Sequence, residues 1–97
     1  MFAIKFTPEA ADDLRQLRKY NQQRIISAVE TQLAYQPDSE SRNRKRLRPN
    51  PIADWELRVG IHRVFYDVDA AGRLVIIIAI GYKQGNRLIL RGKDHQL

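Results

Sequence analysis

The stretch DWELRVGIHRVFYDVDAAGRLVIIIAIGYK, residues 54–83, decides the fold. Trp55, Leu57 and Val59 alternate with Glu56 and Arg58, the period-2 pattern of a strand with one buried face. After a break at Gly60, β-branched and aromatic side chains dominate residues 62–68, as a second strand requires. Asp69-Ala70-Ala71-Gly72 reads as a turn in which Gly72 is free to take a positive φ. Residues 74–80 form an unbroken aliphatic run, the composition of an interior strand covered on both faces. Together they predict a three-strand antiparallel meander whose last strand is central. Its unusual feature is charge: Arg58, Arg63 and Lys83 recur on or beside strands that otherwise carry little of it.

Working outward, Phe2, Ile4 and Phe6 alternate with Ala3 and Lys5 and predict a short opening strand. Thr7-Pro8-Glu9 is a helix start: Thr can cap, Pro suits the first helical position, and Glu9, Asp12 and Asp13 favour the positive end of the dipole. Ala10, Leu14 and Leu17 mark one face of that helix. The stripe lapses near Tyr20, where Asn21 is a candidate cap, and Ile25, Val29 and Leu33 restart it until Pro37. The two stripes predict a helical hairpin packed on the sheet through an apolar seam. Residues 37–51, PDSESRNRKRLRPNP, read as a long connection with five cations between Arg42 and Arg48. Past Lys83, Leu88 and Leu90 alternate with charged residues as a short last strand or a tail over the sheet, followed by a fraying polar end.

Ninety-seven residues suffice for one domain, 1–97, with one core. The absence of cysteine excludes a disulfide framework, a thiol nucleophile and a cysteine-based zinc site. No charged leader with an apolar segment opens the chain, and its longest apolar run is far short of the roughly 20 residues that span a bilayer. These features lead to the expectation of a soluble cytoplasmic protein without a membrane partner. The net charge of +6 is unevenly placed. Residues 1–41 carry five Lys/Arg against six Asp/Glu, hence −1; residues 42–97 carry twelve against five, hence +7. Such concentration suits an anionic partner, either nucleic acid or an acidic protein, although it also serves general solubility.

Several chemistries find no residues to carry them. His62 and His95 lack metal-ligand spacing, and there is neither a Gly-rich phosphate loop nor a GxSxG elbow. What remains is a cationic site. If the hairpin brings Arg58 and Arg63 to one side, two guanidinium groups meet and Lys83 joins them from the next strand. Arginine forks suit phosphate oxygens, and fixed cations stabilise charge developing at a phosphoryl centre. The competing arrangement pairs both arginines with Glu56 and Asp67 on an inert face. Arg42, Arg44, Lys45, Arg46 and Arg48 can track a phosphate backbone or simply decorate a solvated loop. His62 is either a packed strand residue or an acid/base.

The order of elements, together with WELRVGIHRVFYDVD at 55–69 and VIIIAIGYK at 75–83, resembles the RelE/ParE superfamily of bacterial toxins over nearly the whole chain. That resemblance implies an α+β domain, a helical hairpin on a mainly antiparallel sheet of about four strands. On the RelE side it implies an endoribonuclease that cuts mRNA in the ribosomal A site, without a metal or other cofactor. Carried over residue by residue, it makes Arg58, Arg63 and Lys83 catalytic; because arginine keeps its proton, proton transfer then falls to Lys83, Tyr82 or His62. With RNA as the substrate, the cations Arg42, Arg44, Lys45, Arg46, Arg48, Arg87 and Arg91 are expected to contact it. The resemblance also implies a cognate antitoxin, expected here to be acidic and to fold on binding. Two positions depart from the pattern: Glu56 stands where the family has a lysine, and no tyrosine follows in the C-terminal segment. A ParE-like inhibitor of DNA gyrase and a non-toxic binding module on the same scaffold remain as alternatives.

Overall fold

The computed structural model describes residues 1–96 and gives the order β1 (Ala3–Phe6), α1 (Pro8–Arg15), α2 (Lys19–Leu33), β2 (Arg44–Arg46), β3 (Trp55–Val59), β4 (His62–Asp69), β5 (Leu74–Gln84), β6 (Arg87–Leu90) and β7 (Lys93–His95). The expected hairpin of helices and the meander are both present. The sheet, however, has seven strands among the described residues rather than about four, in the order β2-β3-β4-β5-β6-β7 with β1 alongside β5. All pairings are antiparallel except β1 with β5, where Ala3 to Phe6 run parallel to Leu74 to Ile77. The aliphatic strand β5 is central, as its composition requires.

Local chemistry sets the helix ends. Thr7 caps α1 by accepting the Ala10 amide at its hydroxyl, 3.1 Å away, with Pro8 in the first turn. Asn21 does not cap α2: the helix begins two residues earlier, after Arg18, and Asn21 lies inside its first turn. Ile25, Val29 and Leu33 then bury against Trp55, Leu57, Val59, Val64, Tyr66, Val75 and Ile77 on one face of the sheet. Removing each large aliphatic side chain from water there contributes about 1.5–3 kcal/mol. Trp55 and Tyr66 stack across β3 and β4 with ring centroids 6.1 Å apart, and the Tyr66 hydroxyl donates to the Pro37 carbonyl at 2.7 Å. Burial pushes the Tyr66 phenol above its ordinary range.

The other face carries a second, smaller core of Ala53, Phe65, Ala79, Leu88 and Leu90, with Leu47 and Ile52 folded over it. Asn50 holds that covering segment. Its side-chain oxygen accepts the Ile52 and Ala53 amides, and its nitrogen donates to the Arg48 and Ala53 carbonyls. Two turns differ from expectation. After β4 the positive φ belongs to Arg73, at 51°, and not to Gly72. The Gly72 amide donates to the Asp69 carboxylate at 3.0 Å, and a Cβ there would only push that exposed side chain aside. At the chain end, β6 is the expected short last strand, whereas the polar residues expected to fray return as β7 and pair with it.

Candidate functional site

Alternation along three neighbouring strands assembles the site on the face away from the helices. Arg58 and Arg63 are direct cross-strand partners, and so are Glu56 and Phe65. Arg63 is in turn opposite Gly81, two residues before Lys83, so both positions of β5 share its face. Gly81 has no room for a side chain, since a Cβ would meet the Ile89 carbonyl at 2.6 Å. These strands, closed by β2 on one side and β6–β7 on the other, form a cleft of about 420 Å³. Arg58, Arg63, Lys83 and Lys45 supply its cations, Leu47 and Leu88 its apolar walls, and Glu56 a carboxylate. The three residues expected to be catalytic are therefore brought together.

Arg63 is the most constrained of them. One terminal nitrogen donates to the Gly60 and His62 carbonyls at 2.8 and 2.9 Å, and Nε lies 4.0 Å from Glu56. Its side chain is only 11% exposed. Burial lowers its pKa from the ordinary arginine value, with Glu56 opposing and Arg58 adding to the effect. Arg58 is exposed and Lys83 half-buried. Asp67, considered as a partner for these arginines, accepts the Asp54 amide at 2.7 Å and serves the loop.

Of the residues considered for proton transfer, Lys83 lines the cleft, while His62 and Tyr82 lie on the opposite side of the sheet. His62 pairs with Val59 and Tyr82 on the helix side and is 7% exposed. Burial, then the neighbouring Arg24 and Arg63, lower its pKa from the ordinary imidazole value. Tyr82 is partly exposed in a separate groove beside α1. His95 lines the cationic cleft instead, carried there by β7, where it stands opposite Leu88. The only sequence signal for it was the alternation at 87–91, which announces a strand but not the return that follows.

The segment expected as a basic loop contains β2, whose alternation divides its cations. Lys45 faces the cleft beside Glu56. Arg44 turns toward α2, donating to the Gln32 carbonyl and side-chain oxygen at 3.1 and 3.2 Å and to the Ser39 carbonyl at 2.8 Å. The Arg46 guanidinium lies over the Trp55 ring, 5.6 Å from its centroid. Arg42 and Arg48 are exposed at either end of β2. Arg87 pairs with Asp94 at 2.6 Å, and Arg91 with Asp13 at 2.9 Å. Thus Lys45, of the seven residues assigned to RNA, is the one that lines the cleft.

Among the described residues, no three His, Cys, Asp or Glu side chains group where they could hold a metal ion, and no helix is long and apolar enough to cross a membrane. Chemically, the cleft can neutralise a phosphodiester, orient it with a fixed guanidinium fork and present an imidazole and a carboxylate beside it.

The family model described as ParE toxin of type II toxin-antitoxin system, parDE, matches residues 4–86. No curated protein sequence matches the chain. Among solved structures, it is similar to a chain of the toxin–antitoxin complex RelBE2 from Mycobacterium tuberculosis, with a TM-score of 0.73 at 23% identity, covering 84% of this chain and 98% of that one. A chain of the archaeal RelE–RelB complex from Pyrococcus horikoshii OT3 superposes with a TM-score of 0.69 at 21% identity, covering 88% and 97%.

Proposed function

Since the chain belongs to the ParE toxin family of type II toxin–antitoxin systems, within the RelE/ParE superfamily, we propose that it is a toxin that inhibits translation by cutting mRNA on the ribosome. The observation that carries this reading is the convergence of Arg58, Arg63, Lys83 and Lys45 on one cleft. In the proposed reaction the ribose 2′-oxygen attacks the adjacent phosphorus and the bond to the 5′-oxygen of the next nucleotide breaks. The products are a 2′,3′-cyclic phosphate and a 5′-hydroxyl. Arg63, held by two backbone carbonyls, grips the non-bridging oxygens with Arg58, and Lys83 and Lys45 offset charge as it builds. Arginine keeps its proton, so a different group must accept one from the 2′-hydroxyl and deliver one to the leaving oxygen. His95 and Glu56, both lining the cleft, can take up the first proton, and Lys83 or His95 can deliver the second.

A cognate antitoxin is the natural partner, since both similar structures are toxin–antitoxin complexes. An acidic segment that folds on binding suits the net charge of +6. Surface ion pairs alone would hold it weakly, at about 0–1 kcal/mol each, so lasting inhibition requires apolar burial as well.

Primer extension on ribosomes programmed with a defined message tests the reading. Cleavage by the wild type and its loss in Arg63→Ala are expected; an intact message with folded wild-type protein would overturn it. The matching family model is described as ParE toxin, and resemblance to that branch of the superfamily carries the second reading, inhibition of DNA gyrase. Loss of gyrase supercoiling on adding the protein, with messages left whole, would select it.

A further inference from the structure

Strand β5 has a gap along one edge. Its first part pairs with β1 as far as Ile77, and its last part pairs with β6 from Tyr82. Between these, backbone groups of β5 find side chains in place of a strand. The Asp13 carboxylate accepts the Ile80 amide at 3.0 Å, and the Ile78 carbonyl accepts from Arg91 at 3.1 Å and from the Thr7 hydroxyl at 3.3 Å. Asp13 and Arg91 also bind each other through two bonds, Nε to Oδ1 at 2.9 Å and Nη2 to Oδ2 at 3.0 Å. The Asp13 side chain is 8% exposed, and this pairing raises the pKa of Arg91.

Arg91 is an unexpected residue where it stands. With Gly92 it makes the two-residue turn between β6 and β7, and both take positive φ, 53° and 76°. Glycine, asparagine and aspartate suit the first position of such a turn; a long side chain with a Cβ does not. Its guanidinium accounts for it, because that group ties the turn to α1 on the far side of the sheet. The strand leaving the turn carries His95 into the cationic cleft.

We propose that Asp13, acting through Arg91, is a positioning residue for the cleft: it seats the β6–β7 hairpin so that His95 lines the site with Arg58, Arg63 and Lys83. The proposal rests on the cleft being the RNA-cleaving site. Neither residue touches the substrate; their effect passes through the placement of β7.

Two full-length variants test it, Asp13→Asn and Arg91→Gly. The second keeps a residue suited to positive φ and removes only the clamp, so it remains informative if the first folds poorly. Amide hydrogen exchange and the His95 imidazole NMR signals report on the hairpin. Single-turnover cleavage on ribosomes across pH reports on the site. With the clamp released, exchange at Leu88, Leu90 and Lys93 should quicken by at least about tenfold while β3 and β4 keep wild-type rates. Cleavage at saturating ribosome should fall by about 100-fold, the scale of a misplacement near 1 Å, with half-saturation unchanged. Asp13→Glu should restore part of the rate at each pH. Arg91→Gly with wild-type exchange, His95 signals and cleavage would overturn the proposal. If the wild type cleaves nothing yet exchange and the His95 signals respond as expected, the functional reading fails and the clamp's hold on the hairpin stands.

Discussion

Arg58 and Arg63 face each other directly across the β3–β4 ladder, and Arg63 has the Glu56 carboxylate at 4.0 Å while Arg58 is exposed. Like charges directly opposite cost a sheet about 0.2–1 kcal/mol, which an anion between them would remove. Arg58→Gln should therefore raise Tm by about 1–5 °C while reducing growth arrest. Thermal unfolding and induced expression check the two arms. A fall in Tm would mean that Arg58 is a structural residue.

Arg44 and Lys45 are adjacent but face opposite sides of the sheet. Arg44→Ala, losing bonds to Gln32 and Ser39, should destabilise the fold by about 1–3 kcal/mol. Lys45→Ala should leave stability unchanged and flatten the salt dependence of RNA binding by about 0.7 in log–log slope. Denaturant titration and binding over a salt series separate these effects.

Tyr66→Phe strands the buried Pro37 carbonyl, which accepts the tyrosine hydroxyl at 2.7 Å, while preserving the stack on Trp55. The expected cost is about 1–2 kcal/mol, visible in urea unfolding as a lower midpoint with an unchanged slope.

His62 titrates below its ordinary value of 6.5 in the folded chain because it is buried and faces Arg24 and Arg63. The unfolded chain therefore takes up the proton first. His62 supports the fold fully above about pH 6.5, and that support is lost as pH falls toward the depressed folded value. Tm measured from pH 7.5 down to 5 should drop more steeply for the wild type than for His62→Gln. Parallel curves would show that His62 does not drive the acid response.

The meander and the Arg58, Arg63 and Lys83 cluster were legible in the sequence because a period of 2 fixes which side chains share a face, whatever the rest of the chain does. The helix cap at Thr7 was legible for a similar reason, since it depends on its immediate neighbours. Position on the wrong side of the sheet misled in the case of His62 and Tyr82. Each is next to a site residue in sequence, and in a strand a neighbour points to the opposite face. The roles of Arg44 and Arg91 were not legible, because their partners, Gln32 and Asp13, are supplied by distant helices. A run of arginines between prolines also gives no sign that it will pair as an edge strand until β3 is there to receive it.

The parallel pairing of β1 with β5 has a consequence for synthesis. Ala3 is matched with Leu74, so the opening strand has no ladder partner until three-quarters of the chain has been made, and such distant pairings form slowly. A nascent chain thus carries a helical hairpin without the sheet it packs on, and the cationic cleft, built from β2 to β7, does not yet exist. A fragment ending before Leu74 should show no cooperative unfolding transition. The cleft, which draws on strands up to β7, can form only after residues 93–95 have been made and released to fold.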